Sequence, residues 1–225
     1  STTSRWARIC APARESAVSR YGLKQAHLQT VIDGMQMDLE KVRYVDFTEL
    51  ETYCDSVAGA VGLMSAEIFG YEEPATRNYA RELGIAFQLT NIIRDVGEDA
   101  RRGRIYLPQN EIARFGVAPS DVLRAKMSPG FVELMRFEVD RARGWYDEAL
   151  SKLPTRDRHS QRACLALSAT SRPLFAKTAH PRYRVLARRP APPPLPPPGN
   201  PPHPPPPPSP APAPPRPRAS PPPPR

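Results

Sequence analysis

Between Gln88 and Pro108 the chain reads QLTNIIRDVGEDARRGRIYLP. Wound as a helix at about 100° per residue, Gln88, Asn91, Asp95 and Asp99 fall within an arc of roughly 80°. Leu89, Ile92, Ile93 and Val96 form an adjoining apolar stripe. Asp95 and Asp99, at i and i+4, are neighbours on the helix surface and cannot pair with one another. They can share a hard cation, because Mg2+ takes a few carboxylate oxygens and completes its shell with waters and phosphate oxygens. Arg94, Arg101, Arg102 and Arg104 surround them, and the guanidinium fork suits bidentate phosphate contacts. Acids that hold a metal beside bases that hold phosphate point to a diphosphate–Mg2+ site. The competing reading is a solvated helix face laced with i,i+4 ion pairs. Against it, Gln88 and Asn91 carry the polar row in beside the apolar stripe, where unpaired amides are costly.

A long helix must carry these residues. Pro74 sits at a favoured first-turn position, and the helical pattern runs from there to about Arg102, where Gly103 and then Leu107-Pro108 break it. Upstream, Leu23, Ala26, Leu28, Ile32, Met35 and Leu39 recur at helical intervals and predict a helix to about Met37. Thr48 as N-cap with Glu51 three residues on predicts a capping box and a helix over 49–69, ending at Gly70. Downstream, a short helix is expected from Gln109 to before Gly116 and another from Pro119. Ser128-Pro129 opens a helix with Phe131, Leu134, Met135, Val139, Ala142 and Trp145 inward, ending near Pro154. Residues 157 to about 178 form a last helix interrupted by Pro173. Sustained period-two alternation is absent, so the fold class is all-α.

Composition divides the 225-residue chain. Residues 190–225 hold 23 of its 31 prolines. This tail can form neither helix nor sheet and is expected as a disordered, extended polyproline segment over 188–225. It can be read as a ligand for an SH3- or WW-type domain or as a spacer without a partner; the favoured reading is a GC-rich gene read out of frame. Residues 1–20 are irregular, and 21–187 are long enough for one globular core. The body keeps +6 of the net charge of +9. That excess suits an anionic substrate. It lacks the basic, aromatic-interleaved stripe of a nucleic-acid groove, so nucleic acid is excluded. Cys10, Cys54 and Cys164 are odd in number and without metal-ligand spacing, which implies free thiols in a reducing compartment. No run reaches the length of a membrane span. A cytoplasmic protein is expected, with membrane contact peripheral at most and oligomeric state open.

Two segments resemble a known family. Asn91-Ile-Ile-Arg-Asp95-Val-Gly-Glu-Asp99, followed by Gly103-Arg104-Ile-Tyr106-Leu107-Pro108, is similar to the second aspartate-rich motif of the squalene/phytoene synthases. Tyr53-Cys54-Asp-Ser-Val57-Ala-Gly59-Ala-Val61-Gly62 resembles that family's "YCxxVAGxVG" helix. The likeness runs from about Tyr21 to about Ala187. Asp33 to Asp38 and Asp157 to Arg162 resemble most the bacterial hopanoid branch, the presqualene diphosphate synthases. The resemblance implies an isoprenoid-synthase-type helical bundle that joins two prenyl diphosphates head to head with Mg2+ as cofactor. It implies Mg2+ on Asp95 and Asp99, helped by Asn91 and Glu98, and diphosphate on Arg94 and Arg104. Gln88 extends the substrate face. Tyr53 would project into the cavity near a carbocation, and Val57, Val61 and Gly62 would line the prenyl tunnel. For Val57 to Gly62, close helix packing through small residues is the rival reading, and both can hold together.

The same resemblance implies a first DxxxD helix upstream of Tyr53. Before Asp33 the only acid is Glu15, and Asp33 and Asp38, at i,i+5, stand about 140° apart on a helix. The expectation is therefore an incomplete domain, inactive in coupling farnesyl diphosphate to presqualene diphosphate. It should also leave apolar faces of the 49–69 and 74–102 helices uncovered. The alternatives are phytoene-type coupling of geranylgeranyl diphosphate and a non-catalytic homologue serving as a partner subunit. A chain-elongating prenyl-diphosphate synthase ranks last, because its DDxxD pattern is not seen.

Overall fold

The computed structural model describes residues 18–178 of the chain. The expected irregular N-terminal segment, for all but its last residues, and the Pro-rich tail lie outside the described residues. The described elements are helices α1 (Gln25–Glu40), α2 (Phe47–Cys54), α3 (Ala60–Phe69), α4 (Ala75–Arg101), α5 (Gln109–Arg114), α6 (Pro119–Leu123), α7 (Pro129–Ser151) and α8 (Arg162–Thr178). A π-helical turn, Asp55–Gly59, joins α2 to α3, and a 3-10 turn, Thr155–Arg158, precedes α8. The all-α expectation stands. Among the described residues the one extended pairing is an isolated parallel bridge between Arg43 and Ile105. None of the described helices is long and apolar enough to cross a membrane. Cys54 and Cys164 are free thiols.

The long helix α4 is the axis of the core. It buries Tyr79, Leu83, Ile85, Leu89, Ile92, Ile93 and Val96 and packs most extensively against α7, then against α3 and the π turn. On α7 the buried residues include Phe131, Leu134, Met135, Val139, Ala142 and Tyr146. Trp145, expected inward, is only half-buried, because Tyr146 takes that face and shares a hydrogen bond between its hydroxyl and Thr90 Oγ1 (3.1 Å). Ser128 caps α7 as expected, accepting from the Phe131 N–H at 3.1 Å. At the far end of α4, Gly103 adopts φ +78°, the left-handed region open to glycine, and the chain leaves the helix there.

Several boundaries differ from expectation for local reasons. Helix α2 begins at Phe47, not 49, and its N-cap is Asp46 rather than Thr48. The Asp46 backbone is extended and its carboxylate accepts from the Glu49 N–H (2.9 Å), while Glu49 Oε2 accepts from the Val45 N–H (2.7 Å). The cap thus lies two residues earlier than expected, and Glu49 reaches back past the N-cap to Val45 instead of closing a capping box on the N-cap N–H. The expected 49–69 helix is not uniform. Its π turn places the Asp55 carboxylate where a Cβ on Gly59 would lie, at 2.1 Å. Arg81 holds that carboxylate bidentately (Nε–Oδ1 2.7 Å, Nη2–Oδ2 2.9 Å). The last helix starts at Arg162, because Asp157 is committed elsewhere, and it continues through Pro173. Proline at that position removes one intrahelical bond without ending the element.

The apolar stripe of α1 does not enter the described core: Ile32, Met35 and Leu39 are 53%, 63% and 79% exposed. The face of α1 that packs carries Gly34, where a Cβ would approach Ser56 and Val57 to 2.8 Å. The expected uncovered apolar face of the 74–102 helix is not found. The large hydrophobics of α4 are covered by α3 and α7, and exposure on this pair is confined to Val61, Ile68 and Phe69 of α3.

Asp157 ties the turn before α4 to the start of the last helical stretch. Its buried carboxylate accepts from the Glu72 N–H (2.8 Å), the Glu73 N–H (3.1 Å) and the Thr76 hydroxyl. Burial raises this carboxyl, but the bonds from Thr76, Glu72 and Glu73 outweigh it and hold it below the usual aspartate range. A depressed folded value means the stabilisation is present at neutral pH and is lost as pH falls through that value. Asp157→Ala, which strands two amide donors, is expected to cost about 2–3 kcal/mol. Urea unfolding at neutral and acidic pH measures it, and the difference between variant and wild type should shrink in acid. A constant difference across that range would contradict this account.

Candidate diphosphate and prenyl-chain site

A half-open cavity of about 230 Å³ lies between the π turn, α3, α4 and α8. Val57, Val61 and Gly62 line one wall, Leu83, Gly84 and Phe87 another, and Cys164 and Leu167 a third. Gln88 and Asn91 bring the polar row of α4 to its edge. Five of the residues singled out from the sequence, Val57, Val61, Gly62, Gln88 and Asn91, therefore meet at one cavity. The close-packing reading holds as well. A Cβ on Gly62 would lie 2.0 Å from the Ala80 carbonyl oxygen, and one on Gly84 would lie 2.2 Å from that of Ala58. Small residues let the two backbones touch, and the cavity opens beside that contact.

Beyond Asn91 the same helix carries the acids. Asp95 is gripped by its neighbour Arg94, with Nε to Oδ1 at 2.8 Å and Nη2 to Oδ2 at 2.6 Å. Asp99, one turn on, is half-buried. Burial, and after it the negative charge of Asp95, push the Asp99 carboxyl up to about 6. The repulsion that Asp95 exerts on a charged Asp99 would be relieved by a shared cation. With Asn91 a turn earlier, the donor set fits a hard ion that takes its remaining ligands from water and phosphate oxygens. Among the described residues no three acidic, His or Cys side chains converge on one point, so the protein's share of such a shell is two carboxylates and an amide. Glu98 forms an i,i+4 ion pair with Arg102 at 2.7 Å, a pairing usual on helix surfaces.

Tyr53 and Arg104 belong to a second cluster that the sequence did not reveal. Tyr53 is 6% exposed and is not in the cavity wall. Its ring lies against Tyr44 and Tyr106, with centroids 5.4 and 5.7 Å away, and its hydroxyl donates to Asp38 Oδ1 at 3.2 Å. The expectation that it projects into the cavity is corrected by this stack and this bond. Burial is the main reason that all three tyrosine hydroxyls resist ionisation, with Tyr106 pushed up to about 12. Arg104 Nη1 donates to Asp38 Oδ2 at 2.7 Å. Asp38 and Tyr106 thus join Tyr53 and Arg104 in this cluster. The one signal for Asp38 was its place in the Asp33–Asp38 segment, where the i,i+5 spacing argued against a metal role. Asp33 indeed lies apart, accepting from Gln29 at 2.7 Å on an exposed face.

Residues 5–195 match the family described as Squalene/phytoene synthase. Phytoene synthase 2, chloroplastic, of Solanum lycopersicum is 48% identical over 143 residues, covering 61% of this chain and 46% of that protein. The 15-cis-phytoene synthase of Synechococcus elongatus is 43% identical over 152 residues, covering 62% of this chain and 49% of its own. Among solved structures, a dehydrosqualene synthase in complex with ligand matches at TM-score 0.57 and 31% identity, over 69% of this chain and 54% of that one. Squalene synthase HpnC from Alicyclobacillus acidocaldarius shares the fold at TM-score 0.63 and 23% identity, over 71% of this chain and 60% of that one. The chain spans about half the length, or less, of the curated relatives it matches.

Proposed function

The chain belongs to the squalene/phytoene synthase family, and from that premise we propose that it carries the second aspartate-rich half of a Mg2+-dependent prenyltransferase joining two prenyl diphosphates head to head. The observation that carries the proposal is the continuity of α4. One helix supplies the cavity wall from Ala80 to Asn91 and, without a break, the carboxylate row at Asp95 and Asp99. A prenyl chain lying along this wall would have its diphosphate end at the acids.

In this reading Asp95 and Asp99, with Asn91, hold Mg2+, which when bound withdraws charge from a departing diphosphate. Arg94 and Arg104 bind diphosphate oxygens. For Arg94 this means exchanging its grip on Asp95 for the phosphate. Val57, Val61, Leu83 and Phe87 exclude water from the reacting carbons, which protects a cation from capture. Tyr53 acts from the Asp38 cluster, its hydroxyl hydrogen directed at the carboxylate.

For the substrate, we favour geranylgeranyl diphosphate and a phytoene-type product, supported by relatives named phytoene synthases at 43–48% identity. Farnesyl diphosphate and presqualene diphosphate form the second reading, supported by the hopanoid-branch resemblance and by the 31% identity to a dehydrosqualene synthase. Incubation with each substrate and Mg2+, followed by lipid extraction and mass spectrometry, separates them. With an upstream segment bearing the DxxxD motif restored, a product from geranylgeranyl diphosphate alone is the expected result, and no coupling is expected without that segment. Binding of neither substrate in the presence of Mg2+ would sink the proposal.

A further inference from the structure

Asp38 gathers three donors from three parts of the chain. Its Oδ2 accepts from Arg104 Nη1 at 2.7 Å, and its Oδ1 accepts from the Tyr106 hydroxyl at 2.5 Å and the Tyr53 hydroxyl at 3.2 Å. Arg104 Nη1 also donates to the Tyr106 hydroxyl at 3.2 Å. The segment that brings Arg104 and Tyr106 here is fixed to the stretch after α1. The Ile105 N–H donates to the Val42 carbonyl at 3.2 Å and Arg43 Nη1 to the Gly103 carbonyl at 2.7 Å. From its other side the Arg104 N–H donates to the Asp99 carbonyl at 2.9 Å, and the guanidinium charge reaches the Asp99 carboxyl. Among the described residues every bond of the Arg104 side chain uses Nη1. Nε and Nη2 are left to donate together.

We propose that Asp38 is a positioning residue of the diphosphate site, holding the Arg104 guanidinium and the Tyr53 hydroxyl as one preorganised unit beside Asp99. The inference rests on the reading of Asp95 and Asp99 given above. Four free torsions make an unrestrained arginine costly to immobilise on binding. A carboxylate on one nitrogen sets the orientation before ligand arrives, so less is lost when the remaining two meet a phosphate. Asp38 itself, filled by three donors, is an orienter and not a ligand.

A double-mutant cycle on the full chain tests this, with calorimetric binding of farnesyl and geranylgeranyl thiodiphosphate in the presence of Mg2+. Asp38→Asn is expected to weaken binding about tenfold in the wild-type background and less than about twofold in Arg104→Ala, because it acts through Arg104. A residue with a merely structural role would give equal losses in both backgrounds, and that additivity would overturn the inference, as would unchanged affinity in Asp38→Asn. Helical circular dichroism checks folding. If Asp38→Asn does not fold, Tyr106→Phe removes one bond to Asp38 while leaving the ring stack, and the same non-additivity with Arg104→Ala is required at about two- to threefold. If the wild-type chain binds neither probe, the site reading itself fails and this inference with it. If it binds and the cycle is additive, only the positioning role fails.

Discussion

In a protein completed by an upstream DxxxD-bearing segment, Asp95→Ala and Asp99→Ala are each expected to lower Mg2+-dependent prenyl coupling by about a hundredfold or more, the usual loss when one member of a preorganised charge-stabilising site is removed. Both carboxylates project from one turn of α4 next to the cavity edge formed by Gln88 and Asn91. The two variants should differ in detail. Asp95 is held by Arg94 through two bonds, so Asp95→Ala also releases that guanidinium, and diphosphate affinity without Mg2+ should fall less than rate. Asp99→Ala removes the half-buried carboxyl that Asp95 disfavours in its charged form, and should chiefly weaken the response to Mg2+. Asp33→Ala is the control. Its side chain faces solvent with Gln29, and it should stay within a few-fold of wild type. The measurement is initial rate and thiodiphosphate affinity against Mg2+ concentration. Full activity in Asp95→Ala or Asp99→Ala would remove those residues from the site.

How much of this was legible in the sequence follows from the range of the interactions. The row Gln88, Asn91, Asp95 and Asp99 is a property of one helix, so its spacing sufficed to place it. The all-α class and most helix boundaries likewise depend on local caps and prolines, such as Ser128-Pro129. Val57, Val61 and Gly62 were legible as a set, because the same face that packs closely also opens the cavity. What escaped was long-range. Asp38 meets Arg104 and Tyr106 across more than sixty residues, and no periodicity on α1 marks it. The Tyr53 ring direction was misjudged for the same reason, since Tyr44 and Tyr106 fix it from elsewhere. Glu98 borders the row, about 60° from Asp95 around the helix, and in the structure its carboxylate pairs with Arg102.

Arg141→Met is expected to destabilise the fold by about 3–5 kcal/mol near neutral pH, since removing one partner leaves buried charge uncompensated. Arg141 donates to Glu138 Oε2 (2.8 Å) and to both oxygens of Glu111, at 2.9 Å to Oε2 and closer to Oε1. It also lies over the rings of Phe47 and Phe137, 4.0 and 4.7 Å from their centroids. Glu111 and Glu138 are 8% and 3% exposed. Two carboxylates thus share one cation in a largely dry place. Burial pushes the Glu138 carboxyl well above the usual range, Arg141 draws it back, and Glu111 raises it again. A raised folded value means the folded state binds the proton more tightly than the unfolded chain. Stability is therefore fullest in acid, and is lost as pH rises through the raised value. Without Arg141 the downward pull vanishes, so the penalty should be largest at neutral and alkaline pH and smaller in mildly acidic buffer. Adding Glu138→Gln to Arg141→Met removes a charge that Glu138 carries only above its raised value, so it should restore part of the loss at alkaline pH while changing little in acid. Chemical denaturation of the three proteins at both pH values measures this. A penalty that is independent of pH, or no recovery in the double variant, would mean that Arg141 stabilises through its stacking on Phe47 and Phe137 and not through its charge.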